Sequence, residues 1–138
     1  MEEYHLPNDI SAMYITASSF PDGVLAAHQK LHSLVPRTES PERKYFGISF
    51  PNQDGTIIYK AAAEELTDDE AEKLSLETYL IKKGEYISID IHDYMKEVSG
   101  IREAFQKLLS DPRIDPNGAC VEWYRSDYVV KCMVRLAD

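Results

Sequence analysis

The chain has 138 residues, 43% hydrophobic and 28% charged, which is ordinary globular usage and excludes disordered, collagen-like and coiled-coil classes. Its 24 acids against 15 bases give a formal charge of −9, and that field repels the phosphate backbone of nucleic acid, so no direct nucleic-acid partner is expected.

The amino terminus, MEEYHLPND, carries acids where a secretory signal needs bases. No apolar run approaches the roughly 20 residues that span a bilayer, so a cytoplasmic protein with no membrane contact is expected. From Ala12 to Ala17 apolar side chains alternate at Met13, Ile15 and Ala17, the pattern of a half-buried strand. Val24, Ala27, Leu31, Leu34 and Val35 then fall at helical spacing. A hairpin follows, Tyr45 to Phe50 and Thr56 to Ala63, with Asp54-Gly55 supplying the positive backbone angle of the turn. Thr67 and Glu70 match a T-x-x-E capping box opening a short acidic helix through Leu74.

The same order then recurs. Ile87, Ile89 and Ile91 alternate between Tyr86 and Ile91, and Val98, Ile101, Phe105, Leu108 and Leu109 match the first helix at an offset of 74 residues. Ala119 to Tyr124 and Tyr128 to Leu136 form the second hairpin. The expected fold is α+β, one domain over 1–138: tandem duplicated β-α-β-β units forming an antiparallel sheet, with two helices on one face and a ligand groove on the other. Repeat 1 covers about 10–65, a linker 66–76, and repeat 2 about 77–138.

Alternation sorts the residues of the second hairpin. Val121 and Trp123 share one side and match the core pair Phe46 and Ile48; Cys120, Glu122 and Tyr124 share the other with Tyr45, Gly47 and Ser49. Lys83-Gly84-Glu85-Tyr86, the helix after it and Val121-Glu122-Trp123-Tyr124, taken with the doubled unit, resemble the GyrI-like effector-binding domain, the ligand module of many bacterial drug-responsive transcription regulators. That resemblance implies a groove for lipophilic, often cationic, small molecules, with Glu122 meeting the positive charge and Tyr124 two positions on. It also implies a stand-alone member, because the chain begins almost at the first strand, with no room for the DNA-binding module that many relatives carry ahead of it. Two other readings go with it: a hydrolase of reactive electrophiles on the same scaffold, with Glu122 as general base, and an interaction module like the gyrase-inhibiting namesake.

Nine tyrosines suit a pocket that stacks flat cations, and strand parity nominates Tyr14, Tyr45 and Tyr124 beside Glu122 as ligand-binding residues. His28 and His32 sit one helical turn apart, but Gln29 stands where a zinc-protease motif has Glu, so they read as a solvated face and no metal is expected. The acidic run from Glu64 to Glu72 reads as solvated surface. Six glycines form no phosphate-binding loop and the two cysteines, Cys120 and Cys132, form no CxxC, so no cofactor is expected.

Overall fold

The computed structural model describes residues 1–38, 42–96 and 99–138. Eight strands, β1 (Glu2–Leu6), β2 (Ile10–Thr16), β3 (Tyr45–Pro51), β4 (Ile57–Glu64), β5 (Glu77–Ile81), β6 (Gly84–His92), β7 (Cys120–Tyr124) and β8 (Val129–Arg135), form one antiparallel sheet in the order β1-β6-β8-β7-β3-β4-β2-β5. The helices are α1 (Val24–Leu34), α2 (Glu70–Lys73) and α3 (Ser99–Leu109). The fold is thus α+β, as expected. The order is unchanged when β1–β4 are exchanged with β5–β8 and the sheet is read backwards. β2 and β3 flank β4 and both run antiparallel to it, so α1 joins two parallel strands with one inserted between them. α3 joins β6 and β7 around β8 in the same manner.

The two helices pack on one face. Ala27, Leu31 and Val35 at the end of α1 meet Met13, Ala61 and Ala63 of β2 and β4. Ala104, Phe105 and Leu108 of α3 meet Ile87, Val130 and Val134 of β6 and β8. Leu34 and Leu109, also at helical spacing, remain exposed, and Val98 lies outside the described residues. The other face is also buried: the sheet curls until Tyr4 of β1 reaches Trp123 of β7, ring centroids 5.9 Å apart, although β6 and β8 lie between them. Phe46, Ile48, Val121 and Trp123 fill this concave side. The space expected as a groove opposite the helices is therefore packed with side chains.

The hairpin between β3 and β4 turns at Gly55 with φ +87°, and the Asp54 carboxylate accepts from the Thr56 amide (3.0 Å) and hydroxyl (2.6 Å). The capping box does not form. The Thr67 hydroxyl turns to Asp69, while Glu70 accepts the Leu66 amide and both terminal nitrogens of Arg43, because a buried guanidinium needs that carboxylate more than a four-residue helix does. No helix among the described residues is long and apolar enough to cross a membrane.

Candidate functional site

A cavity of about 1190 Å³ opens between α1 and α3, floored by the central strands β3, β4 and β7. Its position follows from topology. α1 packs on β2 and β4 and α3 on β6 and β8, and the seam where β3 pairs with β7 is left uncovered. Across that seam Tyr45 faces Tyr124, Gly47 faces Glu122 and Ser49 faces Cys120. The residues assigned to one side by parity do share it. It is the helix-bearing side, because alternation states which residues face together but not what covers them.

Glu122 sits on the floor with 9% of its surface exposed. Its Oε1 accepts the hydroxyl of Tyr124 at 2.5 Å and that of Tyr59 at 3.0 Å. The Tyr59 hydroxyl lies 2.8 Å from His28 Nε2. Since Tyr59 has one proton and gives it to Glu122, Nε2 must carry the proton that His28 donates to the Tyr59 oxygen. Four residues from α1, β4 and β7 thereby form one chain, His28 to Tyr59 to Glu122, with Tyr124 joining at the carboxylate. Tyr59 reaches Glu122 only by laying its ring across β3 at Gly47, which has no side chain to obstruct it.

Burial holds the Glu122 carboxyl above its usual range, although both phenol hydrogen bonds pull the other way. His28 is pushed down to about 4, first by burial and then by the charge of His32, so it is neutral at physiological pH. Burial and the adjacent carboxylate raise both Tyr59 and Tyr124, which keeps them protonated as donors. The Cys120 thiol, at the cavity floor, is pushed up to about 11 by the same causes, so it is no nucleophile there.

Rings form the walls. Phe20 stacks on Tyr59 with centroids 5.9 Å apart, Tyr94 lies 5.7 Å from Tyr124, and His32 packs 4.7 Å from Tyr45. The Tyr45 hydroxyl is buried without a hydrogen-bond partner among the described residues. Of the four residues nominated from sequence, Glu122, Tyr124 and Tyr45 line the cavity together. Tyr14 does not. It lies on the concave side, bonded to Glu77 at 2.7 Å, with the Lys60 ammonium 3.9 Å from its ring centroid.

His28 and Tyr59 are site residues that sequence reasoning missed. The solvated-face reading of His28 is corrected, because α1 turns that residue inward onto Tyr59 and Tyr124. Tyr59 shares the parity of Ala61 and Ala63, both buried on the helix side, and that shared parity was the available signal. Among the described residues no three His, Cys, Asp or Glu side chains group to hold a metal ion.

An antiparallel half-barrel with helices flanking a central cleft is a ligand-binding architecture. No family model matches the chain, and no curated protein matches it in sequence. Its fold is shared with solved structures. An integron cassette protein from the mobile metagenome of Vibrio cholerae superposes with a TM-score of 0.72 at 10% identity, over 99% of this chain and 95% of that one. SAV2435, solved bound to tetraphenylphosphonium, gives a TM-score of 0.66 at 11% identity, over 99% and 94%. A hydrolase from Listeria innocua gives 0.56 at 11%, over 99% and 90%.

Proposed function

We propose that this chain is a cytoplasmic binding module for lipophilic cations, built on the GyrI-like plan of two tandem repeats and related to the effector-binding domains of bacterial transcription regulators. One observation carries the reading: Glu122 is a buried carboxylate with two phenol donors and no lysine or arginine among its partners in the described residues. An ionised carboxylate in such a place is costly without a counter-charge. A delocalised organic cation is cheap to desolvate, and it would supply that charge while the surrounding rings hold it through their faces. The likeness to a protein solved with tetraphenylphosphonium supports the ligand class. The palindromic strand order supports the duplication.

Titration calorimetry with tetraphenylphosphonium tests the reading. Saturable binding is expected, weakened at least about tenfold, or about 1.4 kcal/mol, in Glu122→Gln. Equal affinity in the variant removes Glu122 from the site.

A hydrolase is the second reading, favoured by the continuous hydrogen-bonded chain from His28 Nε2 to Glu122 Oε1, which would let the carboxylate serve as a general base for water. Catalytic turnover of an electrophilic ester, lost in Glu122→Gln, would establish it. Stoichiometric binding without turnover would exclude it.

A further inference from the structure

Four of the six arginines in the chain line the cavity, and none of the nine lysines does. Two of the four have other work. Arg43, 4% exposed, is clamped by both oxygens of Glu70, and the Arg125 guanidinium lies 4.2 Å over the Trp123 ring. The other two are at the mouth. The Arg37 side chain is 76% exposed and holds Asp127 only loosely, at 3.9 Å. Arg102 is exposed on the cavity side of α3 and has no ion pair or hydrogen bond among the described residues. Against these stand two acids at the mouth, Asp127, which Arg37 already faces, and Glu42. The two arginines and two acids of the mouth thus balance in number, Arg37 already faces Asp127, and Arg102 is left, among the described residues, as a lining guanidinium without a partner in a cavity whose floor holds a carboxylate without a cation.

Floor and wall therefore present opposite unpaired charges, the Glu122 carboxylate below and the Arg102 guanidinium on α3. A purely anionic ligand meets the global negative field and then Glu122. A purely cationic one satisfies Glu122 and leaves Arg102 unpaired. We propose that the ligand class is bipolar: a lipophilic aromatic cation that also carries a carboxylate or similar oxyanion, its positive end on Glu122 and its negative end on Arg102, with Arg37 as a second guanidinium lining the same cavity. Arginine suits this task because its planar fork meets both oxygens of an oxyanion while its charge is permanent. The inference rests on the cation site proposed above and adds a second recognition element to it.

The test compares two nearly identical probes, pentyltriphenylphosphonium and (4-carboxybutyl)triphenylphosphonium, by calorimetry at neutral pH and low salt, with homologues of shorter and longer spacer to cover reach. The carboxylate is expected to improve affinity about three- to tenfold at the best spacer, against the pull of the net charge, and added salt is expected to shrink that ratio. In Arg102→Gln, and fully in Arg102→Gln with Arg37→Gln, the ratio is expected to fall to one. Both arginines are exposed, so the folded state is not at risk. Binding of the pentyl compound with no gain from any carboxylate overturns this inference and leaves the cation site standing. A gain that persists in the double variant also overturns it. No binding of either probe overturns both.

Discussion

A Cβ placed on Gly47 would lie 2.0 Å from the Tyr59 hydroxyl and 2.7 Å from Glu122 Oε1. The missing side chain on β3 is what lets a phenol from β4 touch a carboxylate on β7. Gly47→Ala is expected to evict the Tyr59 ring, destabilise the fold by roughly 1–3 kcal/mol in chemical denaturation, and weaken tetraphenylphosphonium binding. Unchanged binding would mean that Tyr59 does not organise the carboxylate.

The raised affinity of Glu122 for its proton fixes the sign of a pH effect. The folded state binds this proton more tightly than the unfolded chain, whose carboxyl titrates near 4.5, so the contribution is complete below that value and is lost as pH rises through the folded one. In the empty protein Glu122→Gln is therefore expected to gain on wild type in melting temperature as pH rises above about 4.5. A difference independent of pH would show that the carboxyl is well solvated. Cation binding is expected to strengthen over the same range and to release protons, read as a calorimetric enthalpy that varies with the buffer.

His28 acts in the opposite direction. Its imidazole falls from 6.5 to about 4 on folding, so the folded state binds fewer protons between those values. The contribution is whole above pH 6.5 and declines on acidification toward pH 4, by about 3 kcal/mol at about 1.36 kcal/mol per unit. His28→Gln is expected to flatten that limb of the stability profile. If the acid limb is identical in the variant, the ring is hydrated in the folded protein.

Arg43 is 4% exposed and donates to the Pro36 and Glu64 carbonyls as well as to Glu70. Arg43→Ala is expected to cost about 3–5 kcal/mol in urea denaturation, since it leaves a partly buried carboxylate and two carbonyls without their donor. A double cycle with Glu70→Gln is expected to return a coupling of about 1 kcal/mol or more. Strict additivity would reduce the pair to coincidental neighbours.

Lys60 lies 3.9, 5.3 and 5.5 Å from the ring centroids of Tyr14, Phe50 and Tyr79. Lys60→Gln is expected to cost about 0.5–1 kcal/mol of stability. If the variant also loses tetraphenylphosphonium affinity, Tyr14 belongs to the binding site after all.

Six strands and both long helices were legible because each carries several inward residues at a clear period, such as Ile87, Ile89 and Ile91 in β6. β1 and β5 were not. Each ends the sheet, has five residues, and buries a single side chain fully, Leu6 or Ile81, so charged outward positions hide the alternation. Glu122, Tyr124 and Tyr45 were legible as one face through parity alone. That the helices flank this face was not legible, because Phe46 and Trp123 on the concave side carry as strong an apolar signal as the residues beneath α1 and α3. His28 was hidden because helical spacing alone does not reveal a cleft between two helices.

β1 does not pair with β2, its neighbour in sequence, nor β5 with β6. β1 closes on β6 and β5 on β2, so each half of the chain lends its first strand to the other. β1 therefore stays without its hydrogen-bonding partner until β6 has been made, and neither half can complete its own ladder when cut free. The two halves are thus tied together three times, by the two exchanged strands at the edges and by the β3–β7 seam at the centre that floors the cleft.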